Sequence, residues 1–415
     1  MQDLTINAVG AQGDGLARTA DGKPAFIPLT LPGETVRAQF DGARGEVIEI
    51  LTPSPDRVAP PCRHYGVCGG CALQHWAGEP YRAWKAEQVR LQLSMEGLET
   101  EILPTFAAPP ASRRRVALHA RKGGKGQGAR LGFKERRSWN LVPLEECPVT
   151  DPRLVAALPA LARLAEPFLE HPKSAPTLHV TLTATGLDVD ITGVERKSGG
   201  LSADARMRAA MAAGEGDFAR VTLAGETIYG ARQPLVKLGP AIVALPPGGF
   251  LQAVPAAEKA MVELAVAEVQ GAGRVADLYC GVGTFTFRLA EVAPVYAAEM
   301  SAAAITALKA AVGATPGLKP ITAEARDLVR RPVLSTELAK TDVVVIDPPR
   351  AGAAEQTVEI AKSKVSKVVG VSCNPQTFAK DARVLVDAGF KLVRVTPVDQ
   401  FVWSPHIELV GVFTR

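Results

Sequence analysis

From residue 242 onward the chain repeats one unit, a short apolar run rich in β-branched residues followed by an Ala-rich stretch with helical character. The runs are Arg274-Val275-Ala276-Asp277-Leu278, Val295-Tyr296-Ala297-Ala298, Val343-Val344-Val345-Ile346 and Val368-Val369-Gly370-Val371. A strand that is apolar on both faces must be covered on both, and a helix between successive strands supplies that cover. The pattern therefore predicts a doubly wound, Rossmann-like parallel α/β sheet. Ligands of such sheets bind beyond the carboxyl ends of the strands, so the residues that end each run are the first candidates for chemistry.

The first run continues into Tyr279-Cys280-Gly281-Val282-Gly283-Thr284. Gly281 and Gly283 allow backbone to approach a ligand at a helix N-terminus. The second run ends at Glu299, about twenty residues on, where an acidic side chain can bind ribose hydroxyls. A nicotinamide loop would place a third glycine where Thr286 stands, which disfavours NAD. A nucleoside ligand without a demanding pyrophosphate fits better, and S-adenosylmethionine is one. Tyr279 reads equally well as packing under the sheet, and Cys280 reads as packing. The third run ends in Asp347-Pro348-Pro349-Arg350, whose prolines fix the backbone and aim the carboxylate at the cleft. Amino-group methyltransferases carry a similar turn with an aromatic residue where Arg350 stands, which weakens that reading.

The fourth run ends in Ser372-Cys373-Asn374-Pro375. Cysteine at a strand end is usually a small buried hydrophobe, but the Asn-Pro turn that follows exposes Cys373 to the cleft. A thiolate there can add to carbon 6 of a pyrimidine and make carbon 5 nucleophilic towards a methyl sulfonium. The adduct must then lose its carbon 5 proton to a general base. Glu408, in "WSPHIELVGVF", is a candidate, although a Glu on a terminal strand is ordinarily a solvated edge residue. His406 reads as structural.

The rest of the chain divides in two. With 415 residues, 47% of them hydrophobic, there is material for two or three cores. Residues 1–57 alternate short β-like runs with Gly turns and predict a small OB-like barrel, either an oligonucleotide platform or a structural module. "TPSPDRVAPP" reads as a stiff linker. Residues 58–240 form a middle α+β domain and residues 241–415 the catalytic domain. Cys62, Cys68 and Cys71, with Cys147 as the fourth thiol, could hold tetrahedral zinc or a cubane cluster. A disulfide framework is disfavoured, because the N-terminus lacks the features of a signal peptide and no apolar run is long enough to span a bilayer. A cytoplasmic protein without membrane contact is expected. The net charge of +4 decides nothing about partners, but between Ala111 and Arg137 ten Lys or Arg stand against one acid, Glu135. That stretch reads as a phosphate-binding strip.

"DLYCGVGTFT", "DPPRAG", "SCNP" and "PHIE", in this order and spacing, resemble the class I RNA 5-methyluridine methyltransferases, and "GDGLARTADGKPAFIPLTLPGE" is similar to a TRAM domain. The resemblance implies S-adenosylmethionine-dependent methylation of uridine carbon 5 in RNA, with the base flipped into the cleft. It implies Cys373 as nucleophile and Glu408 as base. Gln252, Tyr279 and Glu299 would bind the cofactor with the loop residues Gly281, Gly283 and Thr284, and Asp327 and Asp347 would line the same pocket. Tyr279 stands where Phe is common and Thr284 where Asn is frequent. The resemblance also assigns a structural [4Fe-4S] cluster to Cys62, Cys68, Cys71 and Cys147, packs residues 78–110 on the catalytic domain, and favours 23S ribosomal RNA, because barrel and cysteine group occur together. A monomer is expected. The rivals are an RNA cytosine carbon-5 methyltransferase and a non-catalytic iron-sulfur RNA-binding protein.

Overall fold

The structure, a computed structural model, describes residues 1–124, 126–195 and 201–415. Residues 2–52 form strands β1 (Gln2–Thr5), β2 (Ala8–Val9), β3 (Asp14–Arg18), β4 (Pro24–Pro28), β5 (Thr35–Asp41) and β6 (Arg44–Thr52), in the sheet order β1-β5-β6-β4-β3-β2. Alternate residues turn inward, so Ala25, Ile27, Val36 and Ala38 meet Leu4 and Ile6 in a small core. The Pro-rich segment that follows is not a free spacer. Arg57 forks onto Glu34, which is fully buried, with N–O distances of 2.5 and 2.8 Å. Prolines stiffen the path, but this charge pair fastens it.

Next come α1 (Gly78–Met95), β7 (Glu101–Ile102) and β8 (Phe106–Ala107), then the middle sheet. Its strands are β9 (Arg115–Arg121), β10 (Arg130–Lys134), β11 (Leu141–Pro143), β12 (Thr177–Thr183), β13 (Gly186–Thr192), β14 (Arg220–Leu223) and β15 (Glu226–Gly230), ordered β11-β10-β9-β12-β13-β14-β15. Helices α2 (Pro152–Ala156), α3 (Leu158–Ala165) and α4 (Ala203–Glu215) pack on it through Leu154, Leu161, Leu164 and Ala209 against Leu178, Val189 and Val221.

The catalytic part comprises the hairpin β16 (Leu235–Leu238) and β17 (Ala241–Ala244), then α5 (Pro255–Glu268), β18 (Val275–Leu278), α6 (Thr286–Leu289), β19 (Val295–Glu299), α7 (Ala302–Ala314) and β20 (Ile321–Ala325). It continues with β21 (Val343–Ile346), α8 (Ala354–Lys362), β22 (Lys367–Ser372), α9 (Pro375–Asp387), β23 (Lys391–Asp399) and β24 (Glu408–Thr414). Sheet order is β20-β19-β18-β21-β22-β24-β23-β7. The first five strands run parallel, β24 is antiparallel between β22 and β23, and β7 and β8 both pair with β23. Strand order reverses between β18 and β21, which opens a crevice at their carboxyl ends. Successive residues serve opposite faces: Val343 and Val345 enter one core with α5, α7 and the hairpin, Val344 and Ile346 the other with α1 and α9. That first core takes in Val236 and Leu238, so the hairpin belongs to it from before residue 241. Among the described residues, no helix is long and apolar enough to cross a membrane.

Helix α1 is bound to this part by charge as well as by packing. Lys85, with no exposed side-chain surface, donates to Asp399 Oδ1 at 2.9 Å and also to the carbonyl of His406. Two charges taken out of water hold only as a pair. Lys85→Met, which strands Asp399, is expected to lower stability by about 3–5 kcal/mol in urea unfolding, and the double variant Lys85→Met/Asp399→Leu is expected to recover most of that loss.

Candidate active site

Each strand end at the crevice carries a polar group that its sequence context holds in place. After β18 the chain enters the left-handed region at Tyr279, φ 62°, a conformation that aromatic residues rarely adopt. The tyrosine is part-buried, its hydroxyl is buried with no hydrogen-bond partner among the described residues, and burial pushes its pKa up to about 12. Gly283 has φ 100°, and a Cβ there would lie 2.5 Å from the Phe287 ring, so only glycine fits. Under the loop, Thr286 donates to the buried Asp277 at 2.5 Å, and burial lifts this carboxyl to about 7. Thr284 is buried beside it.

Glu299, at the end of β19, accepts from the Gly281 N–H at 3.3 Å and from the Ser301 N–H at 2.9 Å, one on each oxygen. Each oxygen keeps a second lone pair for a ligand hydroxyl. Asp327, just after β20, accepts from the N–H groups of Val329 and Arg330 at 3.0 and 3.2 Å. Glu299 and Asp327 both bear on Tyr279 electrostatically. These residues ring the tips of β18, β19 and β20.

The second group lies across the crevice, at β21, β22 and β24. Ser372 pairs with Leu409 in the antiparallel ladder, so the next step sets Cys373 opposite Glu408. The turn after Cys373 is pinned. Asn374 caps α9 by accepting from the Gln376 N–H at 3.1 Å, and its Nδ2 donates to the Arg350 carbonyl at 3.1 Å. The DPPR and SCNP turns are thereby joined. Asp347 Oδ2 accepts from Gln252 Nε2 at 3.2 Å. Gln400, which no sequence motif singles out, donates from Nε2 to Gln252 Oε1 and to Glu408 Oε1, both at 2.9 Å.

Burial dominates the electrostatics here. It lifts Glu408 to about 7, opposed by the Gln400 hydrogen bond, and lifts Asp347 well above the usual carboxylate range, helped by Glu408 and Asp277. The part-buried Cys373 thiol is pushed up to about 11, first by burial, then by the Glu408 and Asp347 charges, with Arg350 opposing. The thiol is the resting form. His406 is held low by burial, then by Arg350, Lys85 and Arg113, and so is neutral. Cys280 is packed beneath the loop.

Elsewhere, Cys62, Cys68, Cys71 and Cys147 are free thiols lining one cavity of about 270 Å³, together with Arg113, Phe401, Val402 and Ser404. Among the described residues, no three His, Cys, Asp or Glu side chains converge on a single-ion site. The basic stretch is mostly not a free phosphate strip. Arg114 pairs with Glu258 at 2.5 Å, Arg115 donates to the Leu251 carbonyl at 2.7 Å, and Arg113 lies over the Phe401 ring. Arg136 and Arg137 both bind Asp14 of the N-terminal sheet, at 2.6 and 3.0 Å. Lys122 and Arg130 remain exposed, and Lys125 lies outside the described residues. Sequence spacing registers charge but not the acids, up to 144 positions away, that consume it.

The profile of the tRNA (Uracil-5-)-methyltransferase family matches residues 243–415 and that of the TRAM domain residues 1–46. A Caulobacter vibrioides protein named as an uncharacterized RNA methyltransferase is 94% identical over 415 residues, all of both chains. The 23S rRNA (uracil(1939)-C(5))-methyltransferase RlmD of Halomonas elongata is 35% identical over 443 residues, 98% of this chain and 88% of that protein. The solved Pyrococcus abyssi tRNA (uracil-54, C5)-methyltransferase, in complex with S-adenosyl-L-homocysteine, aligns over 100% of both chains with TM-score 0.73 and 22% identity, a likeness of fold.

The charges around the thiol make a direct expectation. Asp347→Asn or Glu408→Gln removes a negative neighbour and is expected to move the pH midpoint of Cys373 alkylation below its wild-type value near 11, as followed by mass spectrometry of the alkylated peptide. An unmoved midpoint in both variants would show that burial alone sets it.

Proposed function

The chain belongs to the family of S-adenosylmethionine-dependent RNA uracil-C5 methyltransferases, and from that premise we propose that it methylates uridine carbon 5 in 23S ribosomal RNA through a covalent adduct on Cys373. The observation that carries this reading is that Cys373, one residue past the last β22–β24 rung, lies within the field of Glu408, in a pocket shared with Asp347 and Gln252. The 35% identical ribosomal RNA enzyme, aligned along nearly the whole chain, supports the substrate class. The reaction occurs in the cytoplasm, on a single chain.

S-adenosylmethionine supplies the methyl group, and Gln252, Tyr279, Gly281, Gly283, Thr284, Glu299, Asp327 and Asp347 hold it in the crevice. The Cys373 thiol gives its proton to solvent water as Sγ bonds to carbon 6 of the flipped uracil, and the ring's electron pair moves to carbon 5 and oxygen 4. Carbon 5 would take the methyl group as its bond to the sulfonium sulfur breaks, leaving the neutral thioether S-adenosylhomocysteine. Glu408 then removes the carbon 5 proton, the 5,6 double bond re-forms, and the thiolate departs. A base whose pKa lies near 7 suits proton abstraction at neutral pH, and burial gives Glu408 that value. The high thiol pKa keeps sulfur uncharged until an electrophilic ring arrives.

The four thiols of the middle region are proposed to hold a [4Fe-4S] cluster. A single zinc ion would need sulfurs about 2.3 Å from one point. A cubane spreads its thiolates around a body of eight atoms, and the four cysteines here are among the residues lining one cavity. The cluster's role is structural, since methyl transfer calls for no electron.

With labelled S-adenosylmethionine and unmodified 23S ribosomal RNA, nucleoside digestion is expected to yield 5-methyluridine, and Cys373→Ala to lose activity by roughly a thousandfold or more. Glu408→Gln is expected to accumulate an RNA–protein conjugate on denaturing gels. 5-Methylcytidine as sole product, or full activity in Cys373→Ala, would refute the reading. Anaerobically purified protein is expected to contain iron and acid-labile sulfide in equal amounts, whereas zinc without sulfide would refute the cluster.

A further inference from the structure

We propose that Gln400 is the positioning residue that aims the Glu408 carboxylate at the carbon 5 proton and ties it to the cofactor side of the pocket through Gln252. This rests on reading Glu408 as the base. Gln400 is 1% exposed, and its amide can sit only one way round. Oε1 accepts from the backbone N–H of Val254 at 3.3 Å, which can only donate. Nε2 must then face the acceptors, and it places one hydrogen on Gln252 Oε1 and one on Glu408 Oε1. That fixes Gln252 in turn, because its oxygen is taken and its Nε2 donates to Asp347. Donor direction runs unbroken from Val254 to both carboxylates.

The loop that starts this chain is itself held. Arg114 donates from Nε to the Gln252 carbonyl at 3.0 Å and from its backbone N–H to the Ala253 carbonyl at 2.9 Å, while its guanidinium is paired with Glu258. The amide therefore has little freedom to swing away. Its single bond to Glu408 occupies Oε1 and leaves Oε2, which makes no hydrogen bond among the described residues, to take the proton.

The bond also sets when Glu408 is ionised. Asp347 and Cys373 face it from β21 and β22, and Arg350, His406 and the Lys85–Asp399 pair stand around the same segment. Of the groups that act directly on Glu408, Gln400 is the one that favours the carboxylate. Without it the carboxyl holds its proton to higher pH, so the base is deprotonated less at neutral pH and regains function as pH rises.

Gln400→Met keeps length and volume and removes both donors. Two single-turnover measurements separate the steps: conjugate formation with 5-fluorouridine RNA reports the Cys373 attack, and release of 5-methyluridine RNA reports proton abstraction. Conjugate formation is expected within about twofold of wild type. Release at pH 7 is expected to slow by about tenfold, with the conjugate accumulating on ordinary RNA and the deficit narrowing at higher pH. If the Met variant fails to bind S-adenosylhomocysteine, Gln400→Glu, which keeps the shape and replaces the donor with an acceptor, is expected to show the same release defect. Release with an unshifted pH profile, or both steps slowed equally at every pH, would overturn the proposal. Wild type that forms no conjugate with 5-fluorouridine RNA would overturn it together with the base assignment, whereas normal wild-type conjugate beside an unaltered variant would overturn it alone.

Discussion

A buried ammonium and a buried carboxylate, 314 residues apart in the chain, hold the catalytic end of this molecule together. Lys85 comes from α1 and Asp399 from the end of β23, and neither could stay charged alone at that depth. The same ammonium takes the carbonyl of His406, so it grips both ends of the segment between β23 and β24. The middle of that segment is held from the other side. The Trp403 carbonyl accepts the N–H groups of Ala72 and Leu73, next to Cys71, and its N–H donates to Tyr81 of α1 at 2.8 Å. Phe401, Val402 and Ser404 line the thiol cavity. Helix α1, the cysteine group and the segment leading into Glu408 thus form one packed body. The wall of the cysteine cavity is the segment that leads into Glu408.

In the pocket, the limiting quantity is negative charge. Asp347 feels the charges of Glu408 and Asp277, Cys373 feels those of Glu408 and Asp347, and Arg350 is the cation that bears on the thiol. Burial disfavours every ionised form, and each ion formed makes the next harder. Thr286 donates to one oxygen of Asp277, whose other oxygen has no hydrogen-bond partner among the described residues, while Asp347 and Glu408 receive amide N–H groups. A resting thiolate would add another uncompensated charge. In the proposed reaction, a sulfur that becomes anionic only as it bonds to carbon passes that charge into the ring, where it spreads to oxygen.

How much of this was legible in the sequence depends on range. The apolar β-branched runs revealed the parallel sheet because both faces of each strand must be buried, and the polar residues that end those runs do stand at the crevice. Register was harder to see: Cys373 and Glu408 face each other only because β24 inserts antiparallel between β22 and β23, and no local pattern in Glu408–Thr414 announces that pairing. The basic stretch misled, because Arg136 and Arg137 look like surface charge until Asp14, more than a hundred positions earlier, closes on them. The proline-rich segment likewise hid the Arg57–Glu34 pair. Tyr279 gave no sign of its left-handed backbone, since a residue next to the glycines Gly281 and Gly283 is not marked for it. Gln400 carried no signal at all, because a neutral amide gains meaning only from its partners.

For the base role proposed for Glu408, an amide partner suits the task better than a cation. An arginine or lysine within hydrogen-bond reach would hold the carboxylate ionised by lowering its pKa by about 1–3 units, which weakens it as a base by the same amount. Full burial with no partner would err the other way and leave the carboxyl protonated at neutral pH. One N–H from a buried glutamine lies between these limits, orienting the group while leaving its pKa near 7. Lys85 spends its donors on Asp399 and on the carbonyl of His406, two residues before Glu408. The hydrogen-bond partner of Glu408 is the neutral Gln400 amide.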